Sequence, residues 1–198
     1  MRVLVATQNP GKMREFRQLL APLGDRVCFP PDYGLHLEVD EDGQSYADNA
    51  RIKALAYMEA TGLPTLADDS GLEVDALGGA PGIRSARYAL GNDADRITGL
   101  LARMRDVPWE KRTARFRCVI VIAAPGPEFH TVEGVCEGYI AHQPVGEGGF
   151  GYDPIFYLPE YGCTMAQLPP HEKNRISHRA RAVQAAMPVL ESLLARYG

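Results

Sequence analysis

Two long strand patterns joined by a short turn constrain the fold of this chain more than any other feature. Residues 113–124 form the first pattern, and a second strand pattern covers residues 131–140. Pro125, Gly126 and Pro127 lie between them and favour a turn. We therefore predict a β-hairpin, which excludes a purely parallel, doubly wound sheet.

The remaining segments alternate between strand and helix patterns. Short strand patterns cover residues 2–6, 64–67 and 72–74, and apolar residues at helical spacing occur in residues 13–20, 45–61, 92–104 and 177–197. This order predicts an α/β fold with a mixed central sheet flanked by helices. The length of 198 residues fits one domain spanning residues 1–198.

Composition narrows the classes of function. A formal net charge of −4 disfavours a broad basic face for nucleic acid. The longest apolar run, residues 118–124, is far shorter than the roughly 20 residues of a membrane helix. The polar turn that begins at Thr7 leaves no room for a signal peptide, so we expect a cytoplasmic protein. The cysteines lack the close spacing of a zinc or redox motif.

The segment after the first strand pattern carries groups that suit phosphate oxygens. It places a hydroxyl, two amides and a lysine at the start of a predicted helix: Thr7, Gln8, Asn9, Pro10, Gly11 and Lys12. Backbone N–H groups at a helix N-terminus bind anions. Asn-Pro-Gly is also common turn chemistry, so an ordinary connection between strand and helix is the alternative interpretation.

Two acidic clusters could serve a metal-dependent reaction. One is Asp40, Glu41 and Asp42, and the other is Asp68 and Asp69, predicted at the end of a strand. Carboxylates bind Mg²⁺ and can accept a proton from an attacking water. The first cluster also fits a solvated loop. A purely structural role is harder to assign to the second cluster, since paired acids at a buried strand end need binding partners.

Two further segments could recognise a base. Residues 148–154 combine glycines, which permit close approach, with Phe150, on which a base could stack. Residues 172–179 are rich in donors, which suit the 6-oxo group of a deaminated purine and not a 6-amino group. The alternative for residues 148–154 is a tight turn with a core Phe. The alternative for residues 172–179 is a solvated first turn of a helix.

Six motifs in register resemble the inosine triphosphate pyrophosphatase family, also called the Ham1 or RdgB family. They are Thr7-Gln8-Asn9-x-Gly11-Lys12, Asp48-Asn49-Ala50-x-x-Lys53-Ala54, Ala67-Asp68-Asp69-Ser70-Gly71-Leu72, Ala76-Leu77-Gly78-Gly79-Ala80-Pro81-Gly82, Gly148-Gly149-Phe150-Gly151-Tyr152-Asp153-Pro154 and Glu172-Lys173-x-x-Ile176-Ser177-His178-Arg179. The resemblance runs from about residue 2 to residue 195. Gln8 stands where many relatives carry Gly, and Asp48 where many carry Glu.

The resemblance implies a two-lobed fold with a nucleotide cleft between the lobes, usually in a homodimer. It implies hydrolysis of deaminated purine nucleoside triphosphates (ITP, dITP, XTP) to the monophosphate and pyrophosphate. Glu41 and Asp69 would bind Mg²⁺, and Asp69 would accept the proton of a metal-activated water. The substrate-binding residues would be residues 7–12, Ser70, Phe150, Gly151, Tyr152, Asp153, Lys173, His178 and Arg179. Asp40 could replace Glu41 in this scheme, and Asp68 could share the work of Asp69.

Two other functions use parts of the same pattern. A pyrophosphatase for modified pyrimidine triphosphates would need a different base pocket, which the basic block at residues 173–179 disfavours. A non-catalytic nucleotide sensor or nucleic-acid-binding module would not need the acids, so Glu41, Asp68 and Asp69 disfavour it. We expect a small-molecule nucleotide as the partner, with neither nucleic acid nor a membrane.

Overall fold

Seven strands form one mixed sheet in the computed structural model, which describes residues 1–126 and 128–197. The strands are β1 (Val3–Val5), β2 (Val27–Cys28), β3 (Thr65–Val74), β4 (Thr113–Ala124), β5 (Glu128–Ile140), β6 (Phe156–Leu158) and β7 (Cys163–Thr164). Their order is β2-β1-β3-β4-β5-β6-β7. β1 pairs in parallel with β2 and β3, whereas β6 is antiparallel to β5 and β7. The predicted mixed sheet is confirmed, and β4 and β5 are neighbours as expected of the hairpin.

Five α-helices accompany the sheet in the described part of the chain. They are α1 (Pro10–Leu19), α2 (Tyr46–Thr61), α3 (Asp93–Arg103), α4 (Pro170–Ile176) and α5 (His178–Tyr197). None of them is long and apolar enough to span a membrane. Pro188 lies inside α5 without ending it.

The chain forms two compact units. Unit 1 comprises residues 1–69, 118–134 and 179–198, and unit 2 comprises residues 70–117 and 135–178. The strands β3, β4 and β5 each contribute residues to both. Each unit has its own buried apolar residues, described separately below.

Unit 1 has a core on each face of its strands because successive strand residues point to opposite sides. Val3 and Val5 of β1 pack in one cluster with residues of α1 and α5, whereas Leu4 and Ala6 pack in the other with Ala50 of α2. The same alternation runs through β4. α1 and α2 are thereby fixed on opposite faces.

Unit 2 is built around one apolar cluster. Ile97 and Leu100 of α3 pack in it with Phe116 of β4 and Phe156 of β6. Tyr152, from the glycine-rich segment, belongs to the same cluster. This segment is therefore anchored to the core through one aromatic side chain.

Side-chain caps define three of the helix starts. Asn9 Oδ1 accepts the Lys12 N–H at α1, and Ser45 Oγ accepts the Asp48 N–H at α2. At α3, Asn92 forms a reciprocal capping box with Asp95. Polar residues that read as turns in the sequence thus fix where helices begin.

The strand around the paired acids differs from the prediction. Residues 64–67 and 72–74 were expected as two short strands, but β3 runs without a break through Asp68 and Asp69. The expectation that these acids end a strand is therefore wrong for β3. The neighbouring strand β4 and the buried Leu72 and Val74 outweigh the low strand propensity of Asp, Ser and Gly.

Two boundaries also differ from those predicted. β5 begins at Glu128, three residues before the predicted start, and Pro127 of the predicted turn lies outside the described residues. The donor-rich block at residues 172–179 is divided between α4 and α5, because Ser177 between them has an extended backbone.

Candidate functional site

The turn between β1 and α1 lies beside the paired acids. Val5 is the last residue of β1 and lies opposite Leu66 of β3, so β3 extends past the end of β1 before it reaches Asp68. Thr7 Oγ1 accepts the Asn9 N–H, and Pro10 occupies the first turn of α1. The N-terminus of α1, an anion-binding feature, is therefore placed next to carboxylates.

A buried network of charges connects α1 with β3. Lys12 Nζ lies 2.9 Å from Asp68 Oδ2. Arg179, which is 1% exposed, contacts Glu15 Oε2 at 2.5 Å and Asp68 Oδ2 at 3.5 Å. Two cations thus converge on one carboxylate, while Glu15 binds Arg179 from α1.

Asp68 is ionised because of these cations. Burial alone would raise its pKa, but the charges of Lys12, Arg179 and Lys53 lower the pKa well below its usual range. Its second oxygen, Oδ1, is buried and has no hydrogen-bond partner among the residues that the structure describes. A buried anionic acceptor of this kind is suited to a further cationic or donor group.

Asp69 has a different environment from its neighbour. Its Oδ2 accepts a hydrogen bond of 3.0 Å from Asn49 Nδ2. Burial raises its pKa, against the lowering effect of Asn49, Lys12 and Lys53, and the negative charge of Glu41 raises it further. Adjacent carboxylates with oppositely shifted pKa values suit different roles, and Asp69 has the higher proton affinity.

Lys53 of α2 joins the acidic loop to β3. Its Nζ lies 2.9 Å from Glu41 Oε1 and donates to the Asp68 backbone carbonyl at 3.0 Å. Burial acts to lower its pKa, but the charges of Asp68 and Glu41 outweigh this and raise it. Asp40 and Asp42 are exposed, whereas Glu41 is half-buried, so the structure turns Glu41 toward the charged network.

The carboxylates of unit 1 are compatible in number with the predicted Mg²⁺ site. In residues 1–126 and 128–197, no three His, Cys, Asp or Glu side chains are grouped as a ready metal site. Mg²⁺ is usually held by one or two carboxylates and completes its shell with waters and substrate phosphates. Glu41 and Asp69, whose charges interact, would provide two such carboxylates.

Gln8 connects the first turn to the loop that precedes α2. Its Nε2 donates to the Leu37 carbonyl and to the Tyr57 hydroxyl, each at 2.8 Å. The Tyr57 hydroxyl also donates to the Leu37 carbonyl at 3.3 Å. The amide of Gln8 therefore fixes the path of the loop on its way to the acidic residues.

In unit 2, the glycine loop (residues 146–153) is held by a buried ion pair. Asp153 Oδ2 lies 2.5 Å from Lys173 Nζ and accepts the Phe150 N–H at 2.9 Å. Lys173 Nζ also lies 5.0 Å from the centroid of the Phe150 ring, a cation–π arrangement. At Gly149, with φ of +73°, a Cβ atom would lie 1.9 Å from Asp153 Oδ2, so only glycine fits.

Two hydrogen bonds attach the glycine loop to other parts of unit 2. The Gly151 N–H donates to Asp93 Oδ2 at the start of α3, at 2.7 Å. The Tyr152 hydroxyl donates to the Ser85 carbonyl at 2.9 Å, and burial raises the pKa of Tyr152 to about 12. These two bonds hold the loop in place, although its residues 146–152 have no regular secondary structure.

His178 and Ser70, also predicted to bind substrate, lie in unit 2. The His178 ring stacks on Phe116, with centroids 4.7 Å apart and an interplanar angle of 16°. Ser70 follows Asp69 in β3 and is half-buried. Lys173, Asp153, Phe150 and His178 are thus in unit 2, whereas Arg179 is in unit 1.

Four side chains that organise these clusters had no role predicted from the sequence: Glu15, Asn49, Lys53 and Asp93. Asn49 and Lys53 belong to one of the six family motifs, but the motif alone does not indicate what either side chain contacts. Glu15 could have been noticed because its carboxylate lies next to the buried apolar residue Phe16 on α1. The sequence indicated only that Asp93 lies at a helix start, and not that it contacts the glycine loop.

Comparisons with known proteins relate the chain to one family over nearly its whole length. The profile of the Ham1 family matches residues 3–189. A dITP/XTP pyrophosphatase of Desulforamulus reducens is 52% identical over 195 residues, covering 98% of this chain and 97% of that protein. A dITP/XTP pyrophosphatase of Thermus thermophilus is 50% identical, covering 94% of this chain and 90% of that protein.

Solved structures agree with this relationship. The Ham1 protein of Staphylococcus aureus superposes with a TM-score of 0.85 at 39% identity, covering 97% of this chain and 99% of that chain. A HAM1 protein from Coxiella burnetii gives a TM-score of 0.83 at 40% identity, with the same coverage. Sequence and fold therefore point to the same relatives.

Proposed function

Since this chain belongs to the Ham1 family, we propose that it hydrolyses deaminated purine nucleoside triphosphates to the monophosphate and pyrophosphate, in a Mg²⁺-dependent reaction. The observation that carries this proposal is the acid and lysine network around Asp68 and Asp69, in a chain about 50% identical to dITP/XTP pyrophosphatases along nearly its whole length. ITP, dITP and XTP are the substrates expected.

The triphosphate is bound by the first turn and by lysines of unit 1. The N-terminal end of α1 carries partial positive charge, and Lys12 and Lys53 are the cations beside the acids. Lys12 is held at Asp68 in the structure and can exchange that carboxylate for a phosphate oxygen. Thr7, Gln8 and Asn9 fix the turn that presents these groups.

Hydrolysis proceeds by in-line attack of water, most directly on the α-phosphorus, with pyrophosphate leaving. Asp69 accepts the proton of the attacking water, because burial raises its pKa and with it the proton affinity of its carboxylate. Glu41 and Asp69 would hold Mg²⁺, which when bound neutralises charge on the phosphate oxygens. Lys12 and Lys53 offset the charge that develops on the leaving group.

Base recognition is assigned to the residues of unit 2. Phe150 provides an aromatic face, and Lys173 and His178 provide donors for the 6-oxo group of hypoxanthine or xanthine. Asp153 holds Lys173 in place. A homodimer, a cytoplasmic location and the absence of a nucleic-acid partner remain predictions.

The test is pyrophosphate release from ITP, dITP, XTP, GTP, ATP and dUTP by the purified protein, with and without Mg²⁺. We expect strong release from the first three and only with Mg²⁺. Release mainly from dUTP would support a pyrimidine enzyme. Binding without release from any nucleotide would support a sensor.

A further inference from the structure

Asn49 is a buried amide that contacts two parts of the catalytic region at once. It is 1% exposed and lies in the first turn of α2. Its Nδ2 donates to Asp69 Oδ2 at 3.0 Å, and its Oδ1 accepts the Gly43 N–H at 2.9 Å. One side chain therefore spans β3 and the loop that carries Glu41.

The contact with the loop is close enough to fix the backbone there. A Cβ atom at Gly43 would lie 2.8 Å from Asn49 Oδ1 and 2.6 Å from Asp48 Cβ. These separations are shorter than normal non-bonded contacts, so the residue at position 43 must be glycine for the loop to reach Asn49. Glu41 lies only two residues away along this loop.

The position of Asn49 itself is set by α2. Its backbone N–H donates to the Ser45 carbonyl at 3.1 Å, and Ser45 caps the helix. The next residue, Ala50, is fully buried in the unit 1 core. The amide is thus held on a rigid element, which is the arrangement that fixes functional groups most accurately.

We propose that Asn49 is a positioning residue for hydrolysis, which holds the Asp69 carboxylate and the Glu41 loop in register with each other. An amide is suited to this because it offers a donor to the carboxylate and an acceptor to the backbone N–H. Aspartate lacks the donor, and leucine, of similar shape, lacks both groups. The inference rests on the proposed function, in which Asp69 accepts the proton.

The experiment compares steady-state pyrophosphate release from ITP by wild type, Asn49→Leu and a matched control. Thr65→Val is the control. Thr65 lies on the same strand as Asp69 but outside the site, and the substitution removes a buried hydroxyl that donates to the Leu63 carbonyl. A misplacement of catalytic groups by about 1 Å lowers rates roughly 100-fold. We expect Asn49→Leu to lower kcat by about that factor and to leave KM within about threefold.

Thermal unfolding distinguishes positioning from a general structural role. We expect both variants to unfold at a lower temperature than wild type, with only Asn49→Leu losing kcat. Equal kcat in Asn49→Leu and Thr65→Val, corrected for the folded fraction, would overturn the inference. If Asn49→Leu does not fold, Asn49→Ala replaces it in the same measurement, because alanine has a high helix propensity.

The wild-type assay separates this inference from the proposed function. An inactive wild type contradicts the function and removes the basis for the role of Asn49. An active wild type together with an active Asn49→Leu contradicts only the role of Asn49.

Discussion

At the scale of single residues, Asp68 and Asp69 show how neighbours in sequence acquire different chemistry. Alternation along β3 directs them to different surroundings, so Asp68 meets Lys12 and Arg179 while Asp69 meets Asn49. The pKa of one is lowered and that of the other raised. The two acids should therefore not be interchangeable.

We predict that Asp69→Asn abolishes turnover while the protein stays folded. The amide keeps the shape of the carboxylate but cannot accept the proton, and general bases contribute about 10²- to 10⁴-fold in rate. Pyrophosphate release from ITP should fall about 1,000-fold, with an unchanged circular dichroism spectrum. Asp42→Asn, an exposed acid of the Glu41 loop, is the control and should retain wild-type kcat. Near-normal kcat in Asp69→Asn would remove Asp69 from the mechanism.

A second residue-scale prediction concerns Tyr152 and alkaline pH. Its pKa is raised by burial from its ordinary value near 10 to about 12, so the folded state retains the proton more tightly than the unfolded state. The stability that this adds is fully present below about pH 10 and is lost as pH rises to about 12. Near pH 7, Tyr152→Phe should cost about 1 kcal/mol through loss of the bond to the Ser85 carbonyl.

The pH dependence of that difference is the measurement. Urea unfolding at pH 7 and at several values between pH 10 and 12 should show the gap between wild type and Tyr152→Phe narrowing as pH rises. A gap that stays constant over this range would contradict the raised pKa of Tyr152.

At the scale of elements, the glycine loop needs glycine at positions 149 and 151, but an added side chain would meet different surroundings at the two positions. Both have positive φ, but an added Cβ would clash with Asp153 only at Gly149 and meets nothing within 4 Å at Gly151. Backbone strain of about 1–2 kcal/mol is common to both positions. The clash adds to this at Gly149 alone.

We therefore predict that Gly149→Ala destabilises the protein more than Gly151→Ala does. Gly149→Ala should also raise KM for ITP, because it displaces the Asp153–Lys173 pair. The comparison needs urea unfolding and steady-state kinetics of the two variants side by side. Equal losses of stability in the two variants would show that the Asp153–Lys173 pair can move aside without lowering the free energy of unfolding.

The elements that the sequence predicts best are those with local signals. Ser45 and Asn92 mark helix starts through their own side chains, and Gly62 ends α2 in the left-handed conformation. The continuity of β3 through Asp68 could not be predicted in this way. It depends on the neighbouring strand β4, which is distant in sequence.

The candidate site shows the same division. Its acids and lysines can be found from residue type and motif order, but their pairing cannot. Glu15 and Arg179 are 164 residues apart in sequence and form a buried ion pair. Such a contact is fixed by the packing of α1 and α5 in the unit 1 core, which no local pattern encodes.

At the scale of the whole molecule, the two units are interwoven along the chain. Because unit 1 consists of three segments and unit 2 of two, the chain passes from one unit to the other four times. Neither unit is a continuous stretch that could be excised. We therefore expect one cooperative unfolding transition, although the buried apolar clusters are separate.

Core truncations test this cooperativity. Leu190→Ala in unit 1 and Leu100→Ala in unit 2 remove fully buried side chains, and each should lower the free energy of unfolding by about 3 kcal/mol. Trp109, the single tryptophan, reports on unit 2, whereas circular dichroism reports on the whole chain. Both probes should give the same urea midpoint in both variants. A Leu190→Ala protein whose tryptophan midpoint does not move would contradict a single transition.

Under the proposed function, the charged network of unit 1 also affects which ionic form of a nucleotide is bound. It contains three cations and four carboxylates, a surplus of one negative charge when all are ionised: Lys12, Lys53 and Arg179 against Glu15, Glu41, Asp68 and Asp69. An uncomplexed triphosphate adds further negative charge and is repelled, whereas a triphosphate that carries its own divalent cation is not. Under the proposed Mg²⁺-dependent function, the rate would then follow the concentration of the complexed nucleotide, so a fall in free magnesium would slow hydrolysis even where the total amount of nucleotide is unchanged.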